Sequence, residues 1–268
     1  MTINKIYSSL KFTICSIFIV SLLLLTSCSK EEALPEEQGN IACFKKETSI
    51  YSDGEKTGTT KYIYNEHNLV EIELSYDLQL NLTDSTHYTY NSAGQVTRKY
   101  SYNFPYTYTQ ERTYSYNANG EEVSNELREN GELFNQSELF RGENGRVDSV
   151  HVTSQGIKTR HLYTYDQDTV RKIGEYDPSN NLIRVREYTY SGNETVIWNY
   201  DGNDNLITKT VLRYDEMGRE ISIQVYLKDN ELSSEGQTEY DSHGNIIRKI
   251  TNFIGFVMYV YETTWECP

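Results

Sequence analysis

The sequence predicts an all-β protein, an antiparallel meander of about 16 strands built from hairpin repeats of about 25 residues, in a curled or closed sheet. Three observations lead to this prediction. An aromatic residue recurs every 24 to 26 positions, a turn motif follows the aromatic, and two cysteines flank the repeat region. Beyond the N-terminal segment, no stretch carries the apolar stripe at helical spacing that an amphipathic helix needs.

The aromatic period runs through most of the chain. In five units a second aromatic lies two residues earlier, which places both rings on one face of a strand. A period of this kind favours one structural unit per repeat, and two strands per unit across 43–266 give sixteen to eighteen strands of ordinary length. The periodic positions are Tyr64, Tyr90, Tyr116, Phe140, Tyr165, Tyr190, Tyr214 and Tyr240.

A turn signal follows these aromatics. Asn91…Gly94 and Asp241…Gly244 place Asn or Asp first and Gly fourth, as a type I turn followed by a left-handed residue requires. Asp177…Asn180 and Asp201…Asp204 carry the residues that tolerate the left-handed region next best. We therefore expect a tight turn after each aromatic and a looser return between units. The expected returns lie near Asn81–Asp84, Asn130-Gly131, Gln155-Gly156 and Asp229-Asn230.

The repeat resembles the YD repeat of the RHS family. The likeness is plainest in the segment TEYDSHGNI at 238–246, with close variants at 200–206 and 212–219. In large RHS proteins such repeats form a coiling sheet around a C-terminal toxin. This chain is far too short for that shell, so the toxin role is not carried over. The resemblance implies a small YD-repeat lipoprotein with a recognition role, since YD repeats elsewhere take part in carbohydrate binding and envelope interactions.

Cys43 precedes the first repeat and Cys267 follows the last. Outside the cytoplasm such a pair is expected to be bonded. The ends of an open sheet of sixteen strands would lie more than about 70 Å apart at roughly 4.8 Å per strand, whereas a disulfide needs Cα atoms within about 7 Å. The predicted bond therefore requires the sheet to curl until its ends meet.

The N-terminal segment has the features of an export signal. Residues 1–27 combine a short Lys-containing region with an apolar core too short for a comfortable membrane span, which is typical of a signal peptide. Leu25-Thr26-Ser27-Cys28 resembles the lipobox of bacterial lipoproteins, which implies cleavage before Cys28 and lipidation of its sulfur; a plain secretory signal is the alternative. Residues 28–40 form an acidic tether, and 41–268 form the repeat domain.

The predicted location is the outer membrane, through the lipid anchor. Ser29-Lys30-Glu31-Glu32 is similar to the acidic tag that directs Bacteroidetes lipoproteins to the cell surface, although a generic tether facing the periplasm fits as well. Without residues 1–27 the chain has 23 Lys and Arg against 39 Asp and Glu. That excess of acids argues against nucleic acid as a partner.

A membrane-spanning barrel is disfavoured because lipid-facing strands need an unbroken apolar band. We expect the face opposite the tyrosines to carry charge instead. The charged residues expected there are Glu71, Glu73, Arg98, Arg184, Arg186 and Lys249.

No cofactor or metal site is predicted. The five His residues fall in different repeats without ligand spacing, although His151 and His161 could approach across a hairpin. The Asp201–Asn205 segment looks like a calcium loop, but it lacks the bidentate Glu and is interpreted as a turn. No nucleophile elbow or phosphate loop is present. A pair of carboxylates in a barrel mouth is still possible among 39 acids.

Two interpretations of the tyrosines are open. The paired rings are expected to pack along the sheet as its core. The segment 100–108 instead combines five aromatics with a Pro and no charge, which is typical of a contact surface. We therefore predict a non-catalytic envelope lipoprotein that acts as a structural or interaction module. The alternatives are a glycan-binding surface lipoprotein and a glycoside-active enzyme. The predicted contact residues are Tyr102, Phe104, Tyr106 and Tyr108.

Overall fold

A computed structural model describes residues 43–254 and 258–267, and within these ranges the protein consists of strands and turns without helices. Eighteen strands are present, so the predicted all-β meander is confirmed. The strands are β1 (Phe44–Ser52), β2 (Glu55–Tyr64), β3 (Val70–Asp77), β4 (Leu82–Tyr90), β5 (Val96–Asn103), β6 (Tyr108–Tyr116), β7 (Glu122–Glu129), β8 (Glu132–Arg141), β9 (Val147–Ser154), β10 (Ile157–Asp166), β11 (Thr169–Tyr176), β12 (Leu182–Ser191), β13 (Glu194–Asp201), β14 (Leu206–Tyr214), β15 (Glu220–Leu227), β16 (Leu232–Tyr240), β17 (Ile246–Phe253) and β18 (Met258–Glu266).

The sheet is closed. Each strand pairs antiparallel with the next, and β1 also pairs with β18, from Phe44 opposite Glu266 to Ser52 opposite Tyr259. Closure leaves no unpaired sheet edge, the feature that makes long sheets prone to aggregate. The predicted Cys43–Cys267 disulfide is present, with the two Cα atoms 4.2 Å apart across a sequence separation of 224. The bond therefore ties the first strand to the last.

Two rims bound the barrel. The turns after even-numbered strands lie at the end where Cys43 and Cys267 are joined, which we call the disulfide rim. The turns after odd-numbered strands form the opposite rim. Turns at both rims follow the Asx pattern: Asn91 Oδ1 accepts the backbone N–H groups of Ala93 and Gln95, each at 3.0 Å. Side-chain acceptance of this kind pre-forms the turn and fixes the strand register.

Two turn expectations need correction. The turns at Asp177–Asn181 and Asp201–Asn205 follow odd-numbered strands and therefore lie at the opposite rim, not after the repeat aromatics. The return expected at Asn81–Asp84 is a tight turn four residues earlier, where the Leu80 N–H donates to the Asp77 carbonyl. Both errors have one cause: the same Asp-led turn closes hairpins at either rim, so its sequence does not indicate the end at which it lies.

The repeat tyrosines lie on one surface of the sheet, which we call the tyrosine face. Tyr62 and Tyr64 share it with Thr60, and Thr60 pairs with Thr48 on one side and Ser75 on the other. Hydroxyls link these strands, because Thr48 Oγ1 lies 3.0 Å from the Tyr62 hydroxyl and 2.9 Å from Thr263 Oγ1. The paired rings stack along their strands, with centroids 6.4 Å apart for Tyr88 and Tyr90. They do not form the expected core, because no tyrosine is among the buried hydrophobic residues of the described chain.

The last tyrosine of each pair performs the same structural task in successive units. Its hydroxyl donates to the backbone carbonyl of a residue at the start of the preceding strand, at 2.6 Å for Tyr90 to Val70 and 2.8 Å for Tyr116 to Val96. At the end of the meander the Trp265 indole N–H takes this place and donates to the Ile246 carbonyl at 2.9 Å. The same bond is formed by Tyr64, Tyr165, Tyr190 and Tyr240.

Phe140 was assigned to the wrong face by the sequence. Arg141 occupies the repeat position in β8, where its guanidinium donates to the carbonyls of Gly145 at 3.0 Å and Glu122 at 3.3 Å. Phe140 points to the other side of the sheet and is 45% exposed. Spacings of 24 to 26 residues leave room for a slip of one, and one residue reverses the face of a strand side chain.

The side of the sheet away from the tyrosines is here called the opposite face. Charged residues occur on both faces. The predicted charge is present there at Arg98, which forms an ion pair with Glu111 at 2.5 Å. Glu73 instead lies on the tyrosine face, opposite Tyr62. Arg184, Arg186 and Lys249 join it on that face, so their expected placement is wrong. An irregular register beside most turns shifts the alternation by one residue, which the sequence pattern does not reveal.

The core is thin and lies along the sheet. Val185 and Val211 of the opposite face are 2% and 4% exposed, and Ile197 of the tyrosine face is 3% exposed. Buried side chains therefore occur on both faces, each packed between its neighbours on adjacent strands. Cross-strand contacts of this kind are the unit of sheet stability.

Candidate functional site

The predicted aromatic contact surface is divided between the two faces. Tyr102 lies on the opposite face near the end of β5. Its ring contacts the Phe104 ring edge to face, with the two centroids 4.7 Å apart. Phe104 and Tyr106 lie in the turn itself and are 41% and 68% exposed. Tyr102 is half-buried, so the exposed rings at this turn of the opposite rim are those of Phe104 and Tyr106.

Tyr108 is on the tyrosine face and does not join that cluster. It lies opposite Asn103 in the register of β5 and β6. Burial, together with a hydrogen bond to the Glu129 carboxyl, raises the pKa of its hydroxyl to about 12. Of the four predicted residues, the structure therefore brings Tyr102 and Phe104 into ring contact.

A concave surface lies elsewhere, over strands β8 to β10 on the opposite face. This cleft has a volume of about 930 Å³, in the range of small-molecule sites. Two cross-strand rows form its floor. The first is Glu138, His151 and Arg160, which are direct partners across three strands, and the second is Gln136, Thr153 and Lys158.

The β11–β12 turn closes one side of the cleft through Asp177, Pro178 and Asn180. Asn180 takes a positive φ of 66° and its side-chain oxygen accepts a hydrogen bond from Arg160 Nη2 at 2.5 Å. The Asp177 carboxylate accepts hydrogen bonds from the Asn181 backbone and side chain at 2.8 and 2.9 Å. These bonds hold the pKa of Asp177 below its ordinary value, so the turn presents a fixed negative charge beside Arg160.

Arg160 has a second supporting contact besides Asn180. Its guanidinium packs over the Tyr176 ring, 5.8 Å from the centroid. That ring lies close over Gly174, where an added Cβ would come within 2.9 Å of the Tyr176 ring. A glycine at this position therefore lets the ring lie flat along the strand, and the ring in turn supports Arg160.

Sequence reasoning missed this cleft. Placing Phe140 in the repeat position puts Glu138 on the wrong face. A signal was available in the spacing: Leu82, Leu182 and Leu232 each precede the repeat tyrosine by eight residues. Leu133 precedes Arg141 by the same eight, which assigns Glu138 and Phe140 to the opposite face.

His151 and His161 do not meet, although their strands are paired. Arg160 is the partner of His151 and Val150 is the partner of His161, so the two imidazoles lie on different faces. Burial lowers the pKa of His161, and Arg186 and Arg184 act in the same direction, while Glu175 opposes them. His161 therefore favours its neutral form within the sheet.

One cluster has the composition of a metal site. Ligand atoms of Cys43, Cys267 and His243 all lie within 4.8 Å of one another at the disulfide rim. The two sulfurs are bonded to each other, and a metal needs thiolates. The Asp201–Asn205 segment is a turn, as expected: Asp201 Oδ1 accepts the Asn203 and Asn205 backbone N–H groups at 2.8 and 2.9 Å.

Glu220 is a half-buried acid at the start of β15. Burial raises its pKa, and the nearby Lys249 ammonium opposes the rise. Asp215, at the preceding turn, has a lowered pKa because it accepts backbone N–H groups of Arg219 and Met217. Its oxygens are occupied by its own turn, which is the setting of a structural carboxylate.

Comparison with known proteins gives distant likenesses. No family model and no curated protein matches the chain. Among solved structures, a porin-like protein from Bacteroides uniformis is 10% identical, with 83% of this chain and 96% of that chain covered and a TM-score of 0.47. A porin-like protein from Bacteroides vulgatus is 9% identical, with 84% and 99% covered and a TM-score of 0.37.

A third likeness is to a TcdB2-TccC3-Cdc42 structure, at 13% identity and a TM-score of 0.34. It covers 80% of this chain and only 14% of that one. At these identities and scores the likenesses do not identify a function. Within the described residues, no helix is long and apolar enough to cross a membrane.

Proposed function

We propose that the protein is a lipid-anchored envelope protein whose barrel is a non-catalytic interaction module of YD-repeat type. The observation that carries this proposal is the Cys43–Cys267 disulfide, which joins the two ends of the barrel. Structural disulfides persist in oxidising compartments and are rare in the cytosol. A barrel closed by such a bond is suited to the cell envelope.

The N-terminal sequence supports the anchor. Cys28 follows a lipobox-like tripeptide, and 29–40 is a polar spacer before the barrel. Both lie outside the described residues. The chain enters the barrel at Cys43, on the disulfide rim.

Metabolic labelling with an alkyne fatty acid tests the anchor. The native chain should incorporate the label and partition with membranes, whereas Cys28→Ala should lose both properties. A matched Cys15→Ala variant should keep them, because Cys15 lies within the signal peptide that cleavage removes. Labelling that survives Cys28→Ala would contradict the anchor.

Protease shaving of intact cells, with a periplasmic protein as control, tests the face. Loss of the barrel while the control survives supports the surface, as the Lys30-Glu31-Glu32 tag predicts. Protection of the barrel supports the periplasmic alternative.

The absence of catalysis is part of the proposal and is supported by how the acids are used. Asp215 and Asp241 bind the backbone of their own turns, as do Asp77, Asp177 and Asp201 at the opposite rim. The enzyme alternative centres on Glu220. Release of reducing sugar from a panel of polysaccharides that disappears in Glu220→Gln would support that alternative and contradict the proposal.

Glycan binding is the second candidate function, and the cleft over β8 to β10 favours it. Saccharides need hydrogen-bonding groups that converge on a surface of about their own size. Glu138, Arg160 and Asn180 supply such groups from three sides.

A further inference from the structure

We propose that the cleft over β8 to β10 binds an acidic saccharide, with the sugar carboxylate on Arg160 and Lys158. This inference rests on the proposed non-catalytic module and names the ligand of its cleft. It does not depend on the lipid anchor, so the two can fail separately.

Hydrogen-bond donors without a carboxylate partner favour an anion at the β10 side of the cleft. The chain has a formal net charge of −14, and most of its arginines are paired with acids. Within the described ranges neither Lys158 nor Arg160 forms an ion pair with a carboxylate. By contrast, Arg213 on β14 meets Glu194 at 3.2 Å. Glu138 and Asp177 line the same cleft, so its formal charge is balanced. A sugar carboxylate would therefore bind through the direct donors of Lys158 and Arg160 and not through an excess of positive charge.

Arg160 is held in place before any ligand arrives. Asn180 binds one terminal nitrogen and the Tyr176 ring supports the guanidinium plane. A guanidinium has five N–H donors, and this arrangement leaves donors toward the cleft. Because the side chain is already fixed, less conformational entropy is lost when it binds an anion.

The rest of the cleft suits hydroxyl groups. Glu138 lies two strands from Arg160, which is about 10 Å at ordinary strand spacing. A carboxylate at that distance can accept sugar hydroxyls while the arginine binds the acid group. Gln136 and Thr153 add a donor and acceptors between them.

An aromatic surface borders the polar floor. The Phe140 ring lies against the His151 ring with centroids 4.5 Å apart, and Phe140 is 45% exposed. The C–H face of a sugar ring stacks on aromatic surfaces of this kind. Anion, hydroxyl partners and stacking surface together describe an acidic sugar better than a bare anion or a peptide.

Isothermal titration of the full chain in detergent tests the proposal. The probes are digalacturonic acid and its neutral counterpart galactobiose. We expect digalacturonic acid to bind at least tenfold more tightly than galactobiose, and Arg160→Gln to weaken it at least tenfold, about 1.4 kcal/mol. Arg213→Gln is the matched control and should leave affinity unchanged.

Gly174→Ala is a second variant that keeps every group of the cleft. By displacing the Tyr176 ring it should weaken digalacturonic acid binding while circular dichroism confirms an intact barrel. Glutamate tripeptide and inorganic phosphate serve as competitors. Binding that is absent, unaffected by Arg160→Gln in folded protein, equal for the neutral sugar, or displaced equally by phosphate or the peptide would overturn the proposal. Fatty-acid labelling at Cys28 reports separately on the anchor.

Discussion

The regular repeats and the β8–β10 segment are built from the same unit but differ in what they present. In the regular repeats a tyrosine hydroxyl closes each unit, as Tyr116 does on Val96 at 2.8 Å. In β8 that place belongs to Arg141, and the neighbouring aromatic, Phe140, faces the other side. The structural bond is kept while the opposite face gains an aromatic beside a polar cleft. Departure from the repeat therefore changes which side chains the opposite face presents and keeps the order of the strands.

The largest expected effect concerns the disulfide that joins the two ends of the barrel. Replacing Cys43 and Cys267 with Ser should lower the free energy of unfolding by about 5 kcal/mol, because the bond restricts a loop of 224 residues in the unfolded chain. Chemical denaturation of both proteins measures the difference. A midpoint that does not move on mutation or on reduction of the native chain would show that strand pairing of β1 with β18 suffices.

The second prediction concerns the regular repeats. Tyr116→Phe should cost about 1 kcal/mol, because it removes the hydroxyl and leaves the Val96 carbonyl without that donor. Tyr259→Phe, at a ring 37% exposed, is the control and should change stability by no more than about 0.5 kcal/mol. Equal effects of the two substitutions would contradict a structural role for the repeat hydroxyl.

The third prediction makes the same test in the irregular segment. Arg141→Ala should cost about 1 kcal/mol through loss of its bonds to Gly145 and Glu122. Arg141→Tyr should restore the donor of the regular repeats and stay within about 0.5 kcal/mol of the native protein. If Arg141→Tyr is as damaging as Arg141→Ala, the two regions do not share one design.

The smallest expected effect is a dependence of stability on pH, caused by His161 on the tyrosine face. The pKa of His161 is lowered by burial, and Arg186 and Arg184 add to this while Glu175 opposes it. The folded state therefore resists a proton that the unfolded chain accepts near its ordinary pKa of about 6.5. Stability should fall as the pH drops from 7.5 to 5.5. His161→Gln should reduce that slope, and an unchanged slope would contradict the assignment.

Much of the fold could be predicted because the period is physical. An aromatic residue every 24 to 26 positions and an Asp-led or Asn-led turn specify a hairpin unit, and Cys43 with Cys267 specifies closure. The cleft could not be predicted in the same way. It depends on the face of Phe140, which a one-residue slip reverses, and on the Asp177–Asn181 turn lying beside β10. The first is a matter of register and the second of contacts distant in sequence.

The predicted contact residues illustrate the same limit. Tyr102 and Phe104 do meet, at 4.7 Å. Tyr108, six residues beyond Tyr102, lies on the tyrosine face because the β5–β6 turn intervenes. The cluster was predicted from proximity in sequence. The alternation of side chains across the turn places Tyr108 on the other face.

Hydrogen–deuterium exchange of the full chain, with and without digalacturonic acid, tests the central claim most directly. The claim is that the regular repeats are scaffold and the β8–β10 segment is the binding region. We predict slower amide exchange confined to peptides covering 132–162 and 176–182, with the remaining strands unchanged. Protection centred on 100–108, or no protection at a saturating concentration of the saccharide, would contradict it.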